Sequence, residues 1–311
     1  MCCASKRSAR SAERAGTGPV RKSLDRCGGT GQNGAVTRRF AQIDVFSRQP
    51  TRGNPLAVVV DADGLDDETL AAFARWTNLS ETTFLLPPTH PDADYRVRIF
   101  TPGGELPFAG HPTLGSAHAW LAAGGVPKAD RIVQECGVGL VSVRADAQRL
   151  AFAAPPLSRT GSVDEVIVDE VAAALGVGRE EIAAAEWVVN GPDWMLLVLD
   201  SADRVQGLEP DMAALGSHKV GVVGPYLEDS EIAYEVRAFA PGIGVPEDPV
   251  TGSLNAGVAI WMRAAGRVPE QYVAAQGAAV GRAGRIHITD DGTDIWVGGD
   301  CVTVIDGTVE L

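Results

Sequence analysis

Three acid or base side chains in this sequence stand where a strand or a helix is predicted to begin. The first is Glu81, which opens an apolar strand in the segment NLSETTF. Burial raises the pKa of a carboxyl group at such a position, and a carboxyl group that titrates near neutrality can both donate and accept a proton. The alternative is an ordinary exposed glutamate at a strand end, as we expect for the nearby Glu105 and Glu247.

The other two candidates lie in turns that contain glycine and proline. His111 belongs to FAGHPT and directly precedes a proline, a pattern typical of a first helical turn. Asp248 belongs to GVPEDPVTGS, in which a second helix should begin at Gly252 and Ser253. Each has a structural alternative, namely a helix-capping histidine, a turn aspartate or an N-cap serine. A group that caps a helix also faces any cleft at that end, so both roles can hold together.

Neither a metal nor an organic cofactor is predicted. The sequence contains no GxGxxG, Walker, HExxH or GxSxG motif, and its five histidines lack metal-ligand spacing. Of the five cysteines, Cys2, Cys3 and Cys27 lie near the start, and Cys136 and Cys301 follow without a CxxC spacing. We therefore expect no disulfide framework and a reducing, cytoplasmic location.

An internal repeat predicts the elements that position these side chains. The segment YRVRIFTPGGELP at 95–107 matches YEVRAFAPGIGVP at 234–246 at seven of 13 positions, with a constant offset of 139 residues. Each copy continues into a turn and a helix that is apolar almost all round, so each helix should be buried. We predict an α+β fold with two pseudo-symmetric halves, each a mostly β layer wrapped around a central helix.

Copies packed about a pseudo-two-fold axis would bring both helix N-termini to one cleft. A helix N-terminus presents unpaired N–H groups and the positive end of the helix dipole, so it attracts a carboxylate or a phosphate. The sequence therefore predicts an anion site between Gly110-His111 and Gly252-Ser253, suited to a small carboxylate-bearing substrate.

Charge and hydropathy exclude two classes of partner. The chain has 311 residues and a formal net charge of −13, which argues against a nucleic-acid partner. It has no run of 18 apolar residues, so no membrane span is expected. Residues 1–39 hold nine Lys or Arg residues against two acids and show no apolar period. We predict that this basic tail is disordered.

Beyond residue 40 the sequence resembles the PhzF-like phenazine-biosynthesis isomerase family. The resemblance is carried by NLSETTF, FTPGGELPFAGHPT and GVPEDPVTGS in this order, together with GNPLAVVV, GRAGRIHI and IWVGGD. It implies a diaminopimelate-epimerase-like fold of two domains, at 40–155 with about 300–311 and at 156–299. It also implies a homodimer.

The resemblance further implies a cofactor-free proton shuttle, as in the isomerisation of trans-2,3-dihydro-3-hydroxyanthranilate, with Glu81 as the acid/base. The residues that it assigns are Glu81, His111 and Asp248 for catalysis and Gly110, Gly252 and Ser253 for substrate binding. One alternative is an amino-acid racemase or epimerase on the same fold, but those enzymes use two facing cysteines that both turns here lack. The other alternative is a non-catalytic small-molecule-binding protein.

Overall fold

The computed structural model describes residues 36–146 and 149–311, so most of the predicted basic tail lies outside the described residues. The first strand begins at Thr37. The prediction of a disordered tail was therefore wrong for residues 37–39, which pair with Thr308–Glu310 at the far end of the chain. Arg39 also forms an ion pair with Asp61, at 2.7 Å between Nε and Oδ2. Local sequence could not reveal these three residues as part of the strand, because their pairing partners are about 270 residues away.

The described residues contain sixteen strands and six α-helices. The strands are β1 (Thr37–Val45), β2 (Asn54–Val59), β3 (Glu81–Leu86), β4 (Tyr95–Thr101), β5 (Gly104–Leu106), β6 (Ile132–Cys136), β7 (Gly139–Asp146), β8 (Arg149–Ala153), β9 (Ala184–Trp187), β10 (Trp194–Val198), β11 (Lys219–Pro225), β12 (Tyr234–Ala240), β13 (Val245–Glu247), β14 (Gln271–Gln276), β15 (Gly284–Asp290) and β16 (Ile295–Glu310). The helices are α1 (Asp67–Thr77), α2 (Gly110–Ala122), α3 (Glu165–Leu175), α4 (Ala202–Gln206), α5 (Met212–Leu215) and α6 (Gly252–Ala264). The fold is α+β, as predicted.

All strands belong to one sheet, whose pairing order repeats along the chain. The order is β1-β2-β3-β4-β6-β7-β8-β16-β15-β14-β12-β11-β10-β9, with β5 and β13 paired beside β4 and β12. The pair β2–β3 is parallel, as is β10–β11, and the pair β4–β6 is parallel, as is β12–β14. The corresponding neighbours β3–β4 and β11–β12 are antiparallel in both cases.

The last strand serves both parts of the sheet. Its first residues pair with β8 and β15, and the stretch from Cys301 to Glu310 pairs with β1. The first eight strands of the order therefore close into a ring. A closed ring leaves no unpaired backbone edge in that part of the sheet.

Helices α2 and α6 lie inside this sheet. Each has 13 residues, and nine of the 13 are buried in each helix. Their side chains join strand residues in one large apolar core, which includes Leu114 of α2 and Leu254 of α6, both fully buried. A helix with no polar face gains its stability from such burial, which explains the mostly apolar sequence of both segments. None of the described helices combines the length and apolar character needed to cross a membrane.

Truncating a core side chain of α6 should destabilise the whole fold. Leu254→Ala removes a fully buried side chain, and we expect a loss of about 2–5 kcal/mol in the free energy of unfolding. Leu227 is 82% exposed, so the matched change Leu227→Ala should alter the free energy of unfolding by no more than about 0.5 kcal/mol. Chemical denaturation of both variants measures the difference. Equal effects would show that α6 is not a core helix.

Candidate active site

A cavity of about 270 Å³ lies where the N-termini of α2 and α6 meet. All six residues predicted to form the site line it, namely Glu81, Gly110, His111, Asp248, Gly252 and Ser253. The strand β3 carries Glu81 at its first residue, and the two helices carry the glycines, the histidine and the serine in their first turns. The structure therefore brings together residues that lie up to about 170 positions apart in the chain.

The two helix N-termini touch through their backbones. A Cβ atom added to Gly252 would lie 2.7 Å from Gly110 Cα and from His111 N, and one added to Gly110 would lie 2.8 Å from Gly252 Cα. Real Cβ atoms do not approach backbone atoms so closely, so both positions require glycine. Neither helix has a side-chain N-cap or an acidic residue in its first turn. The first N–H groups of both helices thus remain available to an anion in the cavity.

Asp248 is held as an acceptor by three donors. Asn54 Nδ2 donates to Oδ1 at 2.9 Å, Thr251 Oγ1 donates to Oδ2 at 2.6 Å, and Ser80 Oγ donates to Oδ1 at 3.5 Å. Burial raises the pKa of Asp248 above its ordinary value, while these three hydrogen bonds act in the opposite direction. Donors on both oxygens favour the ionised form of this carboxyl group.

A glutamine whose side-chain amide is fully hydrogen-bonded fixes the turn that carries Asp248. Gln276 Nε2 donates to the Asp248 carbonyl at 3.0 Å and to Thr251 Oγ1 at 2.9 Å. Its Oε1 accepts from Thr251 N and from Asn255 Nδ2, both at 2.9 Å. Gln276 is 1% exposed, so every polar atom of its buried amide has a partner. This network determines where the Asp248 carboxylate can stand.

His111 is neutral, with its proton on Nε2. Burial lowers the pKa of His111 to about 3. Asn54 Nδ2 lies 3.3 Å from His111 Nδ1, and it also donates to the Val250 carbonyl at 2.9 Å. The two N–H groups of this amide are taken by Asp248 Oδ1 and the Val250 carbonyl, and an Nδ1–H group would point at the amide nitrogen, which cannot accept a hydrogen bond, so the ring proton is assigned to Nε2. Nε2 lies 3.4 Å from Glu81 Oε2.

The neighbours of the Glu81 carboxyl group among the described residues do not hydrogen-bond to it. Its side chain is 16% exposed, and its pKa is raised well above the ordinary value, first by burial and then by the negative charge of Asp248. Among the described residues, Glu81 Oε2, His111 Nε2 and Asn54 Oδ1 are buried atoms without a hydrogen-bond partner. Unpaired buried polar atoms are costly, and two of these atoms, on Glu81 and His111, belong to residues that line the cavity, where a substrate can satisfy them.

Several residues of this site were missed from the sequence alone. Asn54, Ser80, Thr251 and Gln276 make the hydrogen bonds that position Asp248 and His111. A glutamine at the end of the apolar strand QYVAAQ was the available signal, because a buried amide must find partners. The partners themselves come from distant segments and could not be read from the strand.

One expectation about the nearby acids was wrong. Glu247, expected to be exposed, is only 9% exposed and binds Arg237 through two hydrogen bonds of 2.9 and 2.7 Å. Glu105 is 42% exposed and makes the equivalent two bonds to Arg98, at 2.7 and 2.6 Å. Both glutamates are therefore occupied by an arginine of the adjacent strand, and neither lines the cavity.

No described group of three or more His, Cys, Asp or Glu side chains could hold a metal ion. The arrangement instead combines a carboxyl group of raised pKa, a neutral imidazole, an acceptor carboxylate and two helix N-termini in one small cavity. Such a set can carry out acid/base chemistry and can hold a small anion.

Comparison with known proteins places the chain in a family. Residues 43–307 match the family model described as phenazine biosynthesis-like protein, so the chain belongs to that family and is a PhzF-like isomerase. It is 35% identical to the trans-2,3-dihydro-3-hydroxyanthranilate isomerase of Pseudomonas aeruginosa, over 82% of this chain and 91% of the relative. It is 36% identical to antisense-enhancing sequence 1 of Schizosaccharomyces pombe, over 86% of this chain and 97% of the relative.

A solved structure supports the same fold. The crystal structure of a PhzF-family phenazine biosynthesis protein from Enterococcus faecalis aligns with a TM-score of 0.73 at 24% identity, covering 89% of this chain and all of that one. The family and the isomerase class predicted from the three sequence motifs are confirmed.

Because the pKa of Glu81 is raised, this residue should lower the stability of the folded protein at high pH. The unfolded chain loses the Glu81 proton near pH 4.5, whereas the folded chain keeps it to a higher pH. The folded state binds more protons in that interval, so stability falls as the pH rises through it. Glu81→Gln removes the titration, so its thermal midpoint relative to the unmodified protein should rise between pH 4.5 and pH 8. Calorimetry at both pH values measures this shift.

The control for this pH dependence is Glu231→Gln, which changes an exposed glutamate. Its thermal midpoint should keep a constant difference from the unmodified protein over the same range. A constant difference for Glu81→Gln as well would contradict the raised pKa.

The contact between the two helix N-termini gives a second prediction. Gly252→Ala places a methyl group against the backbone of α2, so we expect a loss of about 1–3 kcal/mol in the free energy of unfolding. Gly307 has open space around it, and Gly307→Ala should change that free energy by less than about 0.5 kcal/mol. Urea denaturation of both variants distinguishes them. An unchanged free energy of unfolding in Gly252→Ala would mean that the helix ends are not in contact.

Proposed function

We propose that this isomerase moves a proton between two carbons of a small carboxylate, without a cofactor. The observation that carries the proposal is the Glu81 carboxyl group, which has a raised pKa and an unpartnered oxygen at the cavity. A proton moved between carbons on one face needs a single group that accepts it and then returns it. A carboxyl group of raised pKa is a stronger base than an ordinary one and can perform both steps.

The substrate carboxylate binds to the two helix N-termini. The free N–H groups around Gly110-His111 and Gly252-Ser253 provide donors, and the aligned positive dipole ends provide charge complementarity. Ser253 Oγ accepts a hydrogen bond from Trp194 Nε1 at 3.1 Å, which leaves the serine proton free to donate to the substrate. This anchoring presents the reacting carbons to Glu81.

The proton transfer proceeds in two steps. Ionised Glu81 takes a proton from one carbon, so that a C–H bond breaks, an O–H bond forms, and the electron pair enters the conjugated system of the substrate. Glu81 then returns the proton to a second carbon, and no electrons are gained or lost overall. His111 Nε2–H, 3.4 Å from Oε2, stabilises Glu81 while it is ionised. Asp248 accepts a hydrogen bond from an amino or hydroxyl group of the substrate.

The first substrate to test is trans-2,3-dihydro-3-hydroxyanthranilate, on which the Pseudomonas aeruginosa relative acts according to its name. A cysteine-dependent racemase is a weaker alternative, because Cys136 and Cys301 are absent from the cavity lining. A non-catalytic binding protein is distinguished by deuterium exchange. An isomerase incorporates solvent deuterium at a carbon of its substrate, and a binding protein does not.

We also propose that the protein consists of two domains related by a pseudo-two-fold axis. The matching order and direction of strand pairs in β1–β8 and β9–β16 support this arrangement. The two cysteines at 136 and 301 are both free, which supports the proposed cytoplasmic location. The homodimer stays a prediction, which light scattering of the full chain would check.

Removing the proton capacity of Glu81 should abolish most of the turnover. Glu81→Gln keeps the size and the hydrogen-bonding ability of the side chain, so kcat on trans-2,3-dihydro-3-hydroxyanthranilate should fall by about 100-fold or more. The affinity for the product-like ligand 3-hydroxyanthranilate should change far less, because the helix ends bind its carboxylate. Turnover and calorimetric titration measure the two quantities.

The control for this experiment is Glu105→Gln, which changes a glutamate of the adjacent hairpin that does not line the cavity. It should turn over substrate at close to the unmodified rate. Near-normal turnover in Glu81→Gln would remove Glu81 from the mechanism and direct attention to Asp248 with His111.

A further inference from the structure

The internal repeat places Lys219 at the position that Glu81 holds in the other half of the sheet. Phe100 and Phe239 are matched residues of the repeat, and they pair with Thr82 of β3 and Val220 of β11, respectively. The residue before each of those partners is the first residue of its strand, which is Glu81 in β3 and Lys219 in β11.

Each of the two strand starts also has a parallel neighbour. Glu81 is in register with Leu56 of β2, and Lys219 is in register with Trp194 of β10. The two strand starts are therefore occupied by a carboxyl group and an ammonium group.

Both of these residues line the same cavity. Lys219 is the one lysine or arginine among the described residues that line it, whereas Glu81 and Asp248 are both acids. The Lys219 side chain is 19% exposed. The ammonium group of a partly buried lining residue is within reach of a small molecule in the cavity.

The present partner of Lys219 is exchangeable. Its Nζ forms an ion pair with Asp193, whose side chain is 63% exposed. Ion pairs with a solvent-exposed carboxylate contribute little to stability because water and salt screen them. An acidic group of a ligand can therefore replace Asp193 at Lys219 at small cost.

We propose that Lys219 determines specificity by binding a second acidic group of the substrate, so that the site prefers a small dianion to a monoanion. This inference rests on the proposed function, in which the first carboxylate binds between the helix N-termini, and it means that the site prefers a dicarboxylate of similar size to trans-2,3-dihydro-3-hydroxyanthranilate, which has one carboxylate. The cavity of about 270 Å³ lies near the lower end of small-molecule sites, so one ring or a short chain separates the two acidic groups.

Two aromatic probes separate the two anion positions. Benzoate has one carboxylate and reports binding at the helix ends, and isophthalate (benzene-1,3-dicarboxylate) adds a second carboxylate on the same ring. Calorimetric titration should show that the unmodified protein binds isophthalate more tightly than benzoate, by about tenfold or more, the usual effect of a hydrogen bond to a charged group.

Three variants test the role of Lys219. Lys219→Met should abolish the preference for isophthalate and leave benzoate affinity within about twofold, and Lys219→Arg should restore most of the preference. Asp193→Asn removes the competing carboxylate, so it should strengthen isophthalate binding and leave benzoate unaffected. If Lys219→Met fails to fold, Asp193→Asn still tests the proposal, because it should raise the isophthalate-to-benzoate affinity ratio above that of the unmodified protein. Equal affinities of the unmodified protein for isophthalate and benzoate would overturn the proposal. A ratio of these two affinities that is the same in all variants would also overturn it.

The same protein distinguishes failure of this inference from failure of the proposed function. Deuterium exchange into a substrate that binds normally tests proton transfer and does not depend on the ratio. Absence of exchange with an intact isophthalate preference would reject the proposed function alone. Deuterium exchange in a protein that shows no preference for isophthalate over benzoate would reject this inference alone.

Discussion

The backbone contact between Gly110 and Gly252 is the constraint on which the rest of the structure depends. Two helix N-termini meet there, and each brings the positive end of a dipole and unpaired N–H groups into an enclosed space. This encounter is unfavourable by itself, because like partial charges approach in a medium of low dielectric constant. Burial of the apolar faces of α2 and α6 in the common core offsets that cost. An anion in the cavity turns the same arrangement into a favourable one.

That constraint explains why the surrounding polar groups are fixed so completely. A helix end without a side-chain cap cannot determine where the neighbouring turn lies, so other segments must do so. Gln276 ties the turn at 248–251 to β14 through three hydrogen bonds and accepts a fourth from Asn255 of α6, and Asn54 ties the turn to the start of β2. A partly satisfied network in such a place would cost more than an apolar one, which is why the amide of Gln276 is saturated. The acid/base groups then stand in positions that packing alone could not specify.

The sequence predicted the parts of this arrangement that depend on local pattern. The repeat and the two apolar helices follow from periodicity, and the positions of Glu81, His111 and Asp248 follow from motifs at strand and helix starts. Contacts between distant segments could not be predicted in this way. Asn54 reaches Asp248 across 194 positions, and Thr37–Arg39 acquire strand structure only because the far end of the chain pairs with them. Glu247 was misjudged for the same reason, since its burial depends on Arg237 of a neighbouring strand.

The two carboxyl groups of the cavity differ because their donors differ. Glu81 and Asp248 share one poorly solvated space, and their mutual repulsion disfavours the state in which both are ionised. Three donors surround the Asp248 carboxylate, while Glu81 Oε2 has no hydrogen-bond partner among the described residues. Asp248 is therefore the group that stays ionised, and Glu81 is the group that can change between its protonated and ionised forms. Asn54 contributes to this division twice, because the amide that stabilises ionised Asp248 also sets the His111 tautomer that directs Nε2–H towards Glu81. One buried amide thus links the group that holds the charge to the group that we propose transfers the proton.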